Sequence, residues 1–332
     1  MERTVHVFSS GQFERRSNTI YFETTSGEHR YLPVENVREI CVHGEATFNK
    51  RFLEFLSAHE IIVHMFNRSG YYIGSFYPRE HYNSGYMIVR QVEHYLDEGK
   101  RLEIARAFVS GAAKNMLRVL KYYEARGKDL SARIASIESL LEHVERRAAP
   151  VSEMMGLEGN IREQYYRSFD RILDNPHFAY ERRSRRPPVN ALNAMISYLN
   201  SLVYVTVLSE IYKTHLDPRI GFLHASNFRR FTLNLDVAEI FKPVLADRTL
   251  FRLIGLKMIT EKDFEVSQNG IWLSEPARKR IVAEFEDKLG TTVLHRNLKR
   301  AVTYRRMIRL ELYKLEKHLM GDQKYEPFVA SW

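Results

Sequence analysis

The chain has 332 residues, enough for one large domain or two domains of ordinary size, and its hydrophobic fraction of 44% excludes a disordered protein. A formal net charge of +9 favours a polyanionic partner, nucleic acid first and an acidic membrane surface second, over a merely basic soluble protein. The single cysteine, Cys41, excludes an internal disulfide framework and a cysteine-rich zinc site, and it suits a reducing cytoplasm.

Residues 1–79 are predicted to form a small β-rich domain. Short segments rich in β-branched and aromatic residues alternate there with turn signals. Residues 61–66 and 71–77 flank the turn sequence Asn67-Arg68-Ser69-Gly70 and predict a hairpin, whereas the apolar positions of residues 49–58 fit one face of a helix. Because no acid pair or histidine cluster stands out in these residues, we interpret the domain as one for assembly or dimerisation.

The polar residues 80–90 are predicted to be a linker to a larger, all-α domain over residues 91–332. Apolar positions recur with the helical period over residues 92–123 and again over residues 130–147. Residues 295–319 are predicted to form a long helix with one positively charged face. The predicted fold class is therefore α+β, with the small β-rich domain followed by the larger helical one.

The longest uncharged run, residues 187–209, is the segment that most resembles a membrane span. It contains amide and hydroxyl side chains such as Asn193, Ser197 and Asn200, which make it too polar for a spanning helix. The N-terminal residues contain no apolar signal core. We therefore expect a cytoplasmic protein with no membrane segment, in which this run is a buried helix.

A glutamate in residues 151–169 is the first candidate for chemistry. On a helix, Glu158, Arg162 and either Tyr165 or Tyr166 fall about one turn apart and share a face. An isolated glutamate on a helix is usually a solvated surface residue. The glycines near Glu158 and the two adjacent tyrosines are unusual neighbours for such a residue. A functional glutamate and a solvated surface glutamate therefore both remain open as interpretations.

Residues 181–188 form a basic turn, in which four arginines, Arg186 among them, stand beside two prolines. Guanidinium groups on a rigid loop bind phosphates through paired hydrogen bonds. A solvated, charged loop without a ligand is the equally good alternative.

The densest cluster of chemically capable side chains lies in residues 221–248. Asp236 and Glu239 are three residues apart, so a helix over residues 237–241 places both on one face. With His224, and without cysteine, these carboxylates favour Mg²⁺ or Mn²⁺ over a structural Zn²⁺. Such an ion beside basic residues indicates phosphodiester chemistry. The alternative is a buried, hydrogen-bonded histidine near two acids that cap or decorate a helix.

The same residues resemble a known family. GFLH at 221–224, followed by LNLDVAEIFKPVLADR at 233–248, resembles the C-terminal signature of the CRISPR-associated endonuclease/integrase family (Cas-one). LEGNIREQYY at 157–166 and the segment 181–204, with its Arg-Pro-Pro and Asn-Ala sequences, are similar to two further motifs of that family. The final YEPF at 325–328 also resembles the family's end. The resemblance covers nearly the whole chain, with its motifs in the family's order.

The resemblance implies that Glu158, His224 and Glu239 bind a divalent ion, Mg²⁺ or Mn²⁺, and that Asp236 is a catalytic neighbour that lies beside the ion or binds it through water. It implies an N-terminal domain that forms a homodimer and an association with the small Cas-two subunit. The implied reaction is insertion of foreign DNA fragments as spacers into a CRISPR array. In that reaction, a 3′-hydroxyl attacks a phosphodiester of the double-stranded array.

The resemblance also suggests which residues contact DNA. Arg162, Tyr165, Arg186, Lys242 and Arg248 are the candidates for contact with the protospacer and the array. For Tyr165, packing in the core is an alternative that stays open. Lys242 stands where the family commonly has arginine, so its charge is kept but the paired geometry of a guanidinium is lost. Two rival functions are a stand-alone, structure-specific DNA nuclease and a non-catalytic helical DNA-binding scaffold.

Overall fold

The computed structural model of the protein describes residues 2–78, 82, 84–146, 150–185, 187–226, 231–268, 270–295 and 298–331. The chain forms two compact units, Met1–His81 and Tyr82–Trp332. The first unit is rich in strands and the second in helices, so the α+β composition that the sequence predicts is present.

In its described residues, the first unit contains two four-stranded sheets and one α-helix. The strands are β1 (Arg3–Val7), β2 (Gly11–Arg16), β3 (Thr19–Thr24), β4 (His29–Pro33), β5 (Val37–Val42), β6 (Ala46–Phe48), β7 (Ile62–Phe66) and β8 (Tyr72–Phe76). One sheet has the order β1-β5-β7-β8 and the other β4-β3-β2-β6. Strands β7 and β8 pair antiparallel, which confirms the predicted hairpin.

Helix α1 (Lys50–Ala58) confirms the helix predicted within this unit. Asn49 caps it by accepting a hydrogen bond from the Phe52 amide, which is a typical start for a helix. The apolar face of α1, with Phe52 and Leu56, packs into the core that Phe13 and Ile20 contribute from the sheets. The burial of this face stabilises the helix far more than its intrinsic propensity does.

The first unit also contains a buried polar group, although no acid pair or histidine cluster stands out in its sequence. Thr4 donates to the Glu39 carboxylate at 2.8 Å, and the Nε2 atom of His64 lies 3.9 Å from the same carboxylate. The Nδ1 atom of His64 is 2.7 Å from the Ser75 hydroxyl. These residues come from four different strands, so their spacing in the sequence gives no sign of the contact.

The second unit is built mainly from helices. They are α2 (Gly85–Leu96), α3 (Glu98–Glu124), α4 (Ser131–Arg146), α5 (Val151–Tyr166), α6 (Phe169–Leu173), α7 (Ala191–Ile211), α8 (Thr232–Lys242), α9 (Arg248–Gly255), α10 (Glu275–Gly290) and α11 (Tyr304–Met320). Helix α3 packs against α2, α4, α5 and α8, while α7 packs against α8 and α11. Helices α5 and α8 are thereby held on the same central helix.

Helix α7 is long and apolar enough to cross a membrane, but 78% of its most apolar window is buried inside the protein. The polar side chain of Asn193 is fully buried, and its Nδ2 atom donates to the Arg182 carbonyl at 2.9 Å. The prediction of a buried helix over this run is therefore confirmed.

The predicted linker over residues 80–90 is wrong in its second half. Helix α2 begins at Gly85, after Ser84, whose hydroxyl accepts a hydrogen bond from the Met87 amide. Polar residues such as serine are common both in linkers and at the start of helices, so the composition of this segment does not distinguish the two.

The prediction of an all-α second domain is also wrong. Two antiparallel hairpins belong to this unit, β9 (Phe264–Ser267) with β10 (Gly270–Leu273), and β11 (Thr292–His295) with β12 (Arg300–Thr303). The second replaces the start of the predicted helix over residues 295–319, because that segment is flanked by β-branched residues that favour strands. Helix α11 begins only after the Thr303 cap.

The C-terminal segment returns to the middle of the unit and packs behind α8. Asn115, fully buried on α3, donates to the carbonyls of Ile240 at 2.9 Å and Phe328 at 3.0 Å, and it accepts from the Ala330 amide at 2.8 Å. The Phe328 ring stacks on Phe241 with centroids 5.3 Å apart. Helix α8 is thus fixed on the side away from its carboxylates by α3 and the C-terminal segment together.

Candidate active site

Helices α5 and α8 meet at a buried ion-pair network. Glu158 and Arg162 share one face of α5, as predicted, and the Arg162 Nε atom donates to Glu158 at 2.7 Å. The same guanidinium pairs with Glu239 of α8, and Lys242 donates to Glu239 at 2.6 Å. The side chains of Glu158, Arg162 and Glu239 are 17%, 12% and 9% exposed. Two carboxylates from distant parts of the chain therefore share one guanidinium in a partly closed site.

The charges of this network control the ionisation of Glu239. Burial alone would raise the pKa of Glu239, but the opposite charges of Arg162 and Lys242 lower it to about 2. The carboxylates of Glu158 and Glu239 in turn outweigh the effect of burial on Arg162 and raise its pKa. Glu239 is thus a carboxylate at neutral pH.

Asp236 is fully buried and organises the loop that carries His224. Its carboxylate accepts hydrogen bonds from three consecutive amides, those of Phe222 at 2.6 Å, Leu223 at 3.0 Å and His224 at 3.0 Å. It also lies 2.7 Å from the Nδ1 atom of His224. Because a carboxylate accepts, this contact assigns the ring proton to Nδ1 and leaves Nε2 for a ligand or an exchangeable proton.

His224 is held in a negative environment. Burial alone would lower the pKa of its imidazole, but the hydrogen bond and charge of Asp236, followed by the charges of Glu239 and Glu158, raise it above its ordinary value. The same two glutamates that share Arg162 therefore also act on His224. The imidazole, with 24% of its side chain exposed, lies at the edge of the network.

Gly221 allows the loop to approach α8 this closely. A Cβ atom on Gly221 would lie 2.7 Å from the carbonyl carbon of Thr232 and 2.8 Å from an Asp236 carboxylate oxygen. Both are fixed, since they belong to backbone and to a buried, fully hydrogen-bonded side chain. Only glycine fits at position 221, because there is no room for a Cβ atom. A side chain here would push His224 away from Asp236.

We expect Gly221→Ala to lower the free energy of unfolding by about 1–3 kcal/mol, the usual cost of overpacking a closed site. Denaturant unfolding measures it. Gly156→Ala on α5 is the matched control, because no atom lies within 4 Å of its added Cβ and alanine favours a helix by about 1 kcal/mol. Equal stability of the Gly221→Ala variant and the unchanged protein would contradict the close packing described here.

Two helices outside the predicted site also hold this loop. Gln91 of α2 donates to the carbonyls of Asp217 and Ile220, both at 3.1 Å, and accepts from the Asp217 amide at 2.7 Å. Arg101 of α3 donates to the Phe222 carbonyl at 2.9 Å. Sequence reasoning misses both residues, because they lie more than a hundred residues from the loop and belong to no recognisable pattern.

The donors suit a hard divalent ion, but the structure holds them around a guanidinium. Glu158 and Glu239 supply carboxylates, and His224 supplies an imidazole whose Nε2 is directed by a carboxylate on Nδ1, the usual support for a metal-binding histidine. Within the described part of the chain, no group of three or more His, Cys, Asp or Glu is arranged to hold a metal ion. Arg162 bridges the two glutamates, and its positive charge lies where a cation would be stabilised.

The candidate DNA contacts have different surroundings. Arg162 and Lys242 are each 12% exposed and pair with the carboxylates of the network. Arg248 is half-buried, with its guanidinium 4.7 Å from the centre of the Tyr122 ring. Arg186 lies outside the described residues. In the same basic turn, Arg183 points inward and donates to Asn193 at 2.9 Å, so this arginine serves the fold.

The prediction that Tyr165 contacts DNA is wrong. Its side chain is 1% exposed, and its ring meets Phe169 edge to face at 5.2 Å, so no base can stack on it. Burial, and then the charge of Asp247, raise the pKa of its hydroxyl far above the usual range. The alternative of core packing, open from the sequence, is the observed role. Tyr166 is buried as well.

Asp247 lies behind the network, at the end of a π-helix that runs from Pro243 to Asp247. Pro243 has no amide hydrogen to continue the helical ladder of α8, and π-helical turns are frequent at functional sites. Burial raises the pKa of Asp247 to about 7, against the opposing charges of Arg162 and Lys242. The chain therefore passes from α8 to α9 through a widened helical turn.

Comparison with known proteins gives matches over the length of the chain. The family model of CRISPR associated protein Cas1 matches residues 5–287. Over 332 residues, the chain is 55% identical to CRISPR-associated endonuclease Cas1 2 of Thermodesulfovibrio yellowstonii, with 100% of both chains covered. The structure of a CAS1 protein from Thermotoga maritima is similar, with a TM-score of 0.89, 47% identity, and 98% of this chain and 100% of that chain covered.

A more distant structure shares the fold alone. It is that of a casposase bound to an integration product, with a TM-score of 0.86 at 20% identity, covering 99% of this chain and 93% of that chain. Every element of the site lies inside the matched region, including α5, the loop at 221–224 and α8.

Proposed function

Because the chain belongs to the Cas1 family of CRISPR-associated proteins, we propose that it is a divalent-metal-dependent DNA endonuclease and integrase of CRISPR adaptation. Its reaction is the insertion of foreign DNA fragments as spacers into a CRISPR array, by attack of a fragment's 3′-hydroxyl on a phosphodiester. The observation that carries this proposal is that Glu158 and Glu239 share one guanidinium in a partly closed site, and that their charges also act on a His224 directed by Asp236.

Glu158, His224 and Glu239 would hold Mg²⁺ or Mn²⁺, with Asp236 behind the imidazole. When bound, such an ion stabilises negative charge that develops on a phosphoryl oxygen and on the leaving oxygen. Asp236 fixes the imidazole and its tautomer, and the low pKa of Glu239 keeps that carboxylate ionised. Lys242 and Arg248 would supply positive charge for DNA phosphates near the site.

We also propose the partners of this protein and its location in the cell. The strand-rich first unit would form the homodimer, and the helical unit would bind double-stranded DNA and the small Cas2 subunit. The net charge of +9 supports a DNA partner, since phosphate neutralisation is the main source of affinity for nucleic acid. The site of action would be the cytoplasm, where the array and its substrates are found.

A strand-transfer assay tests the reaction. A labelled DNA duplex with 3′-hydroxyl ends is incubated with an array-bearing plasmid, with and without the small partner subunit, and a duplex with 3′-dideoxy ends is the matched control. We expect joined product only from the 3′-hydroxyl duplex. Cleavage that ignores the 3′ end and the partner would favour a stand-alone nuclease. Binding without any divalent-dependent chemistry would favour a non-catalytic scaffold.

A further inference from the structure

The sequence YEPF at 325–328 belongs to the C-terminal segment, which contributes no residue to the candidate active site. A buried carboxylate on α11 anchors this segment. The Tyr325 hydroxyl donates to the Glu311 carboxylate at 2.6 Å, and the Phe328 amide donates to the same oxygen at 3.0 Å. Because Glu311 is 1% exposed, water does not compete for these bonds, and the segment has a fixed place on α11.

The other side of the segment meets α3 and α8. A Cβ atom on Gly111 of α3 would lie 2.6 Å from the Pro327 Cβ atom and 3.6 Å from the Ile240 Cγ1 atom of α8. The missing side chain of Gly111 therefore lets all three elements come together. One helical turn further along α3, Asn115 joins the other two, since it donates to the carbonyls of Ile240 at 2.9 Å and Phe328 at 3.0 Å.

Helix α8 has no regular cap at either end, so its position depends on such contacts. Phe231, at its N-terminal cap, offers no side-chain hydrogen bond, and Pro243, after its last residue, has no amide hydrogen and begins the π-helix. Glu239 faces the ion-pair network, whereas Phe241 lies on the opposite side of the helix and stacks on Phe328. A shift of the helix at Phe241 therefore moves the Glu239 carboxylate as well.

We propose that Asn115 and Phe328 are positioning residues for Glu239. They join α8 to α3 and to the anchored C-terminal segment, and these contacts hold the Glu239 carboxylate where a divalent ion needs it. The identity of that ion rests on the proposed function. Residues that hold a metal ligand in place commonly contribute about 10–100-fold to metal affinity. A misplacement of about 1 Å at a reacting centre can reduce a rate by about 100-fold.

Phe328→Leu tests these contacts without leaving a buried polar group unpaired. Leucine keeps an apolar side chain but removes the ring that stacks on Phe241 with centroids 5.3 Å apart. We expect the affinity for Mn²⁺, measured by electron paramagnetic resonance, to fall about 5–10-fold. The affinity for a DNA duplex in EDTA should stay within about 2-fold, because no phosphate contact is removed. In strand transfer, we expect a lower kcat with an unchanged KM for DNA.

The matched control is Phe178→Leu. The Phe178 ring is 1% exposed and pairs with Phe264, with centroids 5.9 Å apart. An aromatic pair of the same unit is lost, so we expect stability in denaturant to fall at least as much as in Phe328→Leu, with unchanged Mn²⁺ affinity and kcat. Equal losses of Mn²⁺ affinity in both variants would mean a general effect of stability and would overturn the proposal. Unchanged Mn²⁺ affinity in Phe328→Leu would overturn it as well.

Asn115→Asp tests the hydrogen bonds of the same contact. Aspartate keeps the oxygen that accepts from the Ala330 amide, but it places a second oxygen where the amide donates to the Ile240 carbonyl. We expect a loss of Mn²⁺ affinity of about 10–100-fold. A folded Asn115→Asp protein, verified by circular dichroism, that keeps full Mn²⁺ affinity would contradict the role of Asn115. If this variant does not fold, Phe328→Leu decides the question.

Amide hydrogen exchange in the metal-free protein separates this inference from the proposed function. Mass spectrometry follows peptides of α8 and α5 in EDTA and without DNA. We expect exchange in α8 to be about 10-fold faster in Phe328→Leu, and unchanged in Phe178→Leu, because only the first variant loosens α8. Unchanged exchange in α8 of Phe328→Leu would overturn the proposal. If the unchanged protein bound no Mn²⁺, the proposed function would fail, and faster exchange in α8 would still support the hold of Phe328 on this helix.

Discussion

Glu158→Gln is expected to reduce divalent-dependent strand transfer by about 100–1000-fold, while DNA affinity measured in EDTA falls less than about 3-fold. Glutamine keeps the size of the side chain but removes the charge that pairs with Arg162 and that a cation would need. The rate of joined product with saturating DNA measures the effect on chemistry, and anisotropy measures the effect on binding.

Glu163→Gln is the matched control for that change. Glu163 lies on the same helix and is 38% exposed, where it pairs with Arg167 at 2.8 Å and accepts from Tyr180. The same charge is removed from α5, yet we expect strand transfer within about 2-fold of the unchanged protein, since surface pairs contribute about 0–1 kcal/mol. Full activity of Glu158→Gln would remove this residue from the site, and equal losses in both variants would point to a general effect on α5.

Asp236→Asn is expected to have the second large effect, on both stability and rate. The carboxylate accepts from three backbone amides and from His224, and asparagine presents an N–H group to donors that need an acceptor. Unsatisfied buried groups cost about 1–3 kcal/mol each, so we expect at least about 2 kcal/mol of lost stability. The imidazole also loses the partner that fixes its tautomer, a change that costs about 100–10,000-fold in rate in comparable carboxylate–histidine pairs.

His224→Ala separates the two roles of Asp236. The imidazole is partly exposed and its removal leaves the three amide bonds of Asp236 in place, so we expect a loss of strand transfer with less than about 1 kcal/mol of destabilisation. Thermal unfolding and strand transfer are measured on both variants. If Asp236→Asn were as stable as the unchanged protein, the loop at 221–224 would not depend on this carboxylate.

Helical spacing predicts part of the site correctly. Residues four apart on α5 share a face, so the contact between Glu158 and Arg162 follows from the sequence. The same rule places Asp236 and Glu239 on one side of α8. It does not show that Asp236 binds the amides of the loop, whereas Glu239 faces the ion-pair network. That distinction depends on Gly221, whose missing Cβ lets the loop's amides reach the Asp236 carboxylate.

Other features depend on tertiary packing and leave no local trace. Helical spacing places Tyr165 on the same face of α5 as Glu158 and Arg162, yet its ring packs against Phe169 in the core. The hairpin of β11 and β12 was hidden by basic residues that fit a helix equally well, and pairing between the strands decides its structure.

Titration of the protein with Mn²⁺, followed by electron paramagnetic resonance, tests most directly whether Glu158, His224 and Glu239 hold one ion. We expect tight binding of Mn²⁺ by the unchanged protein and by Glu163→Gln, and a loss of about 10–100-fold or more in affinity in Glu158→Gln, His224→Ala and Glu239→Gln alike. Mn²⁺ binding that survives unchanged in all three variants would contradict a metal site formed by these residues.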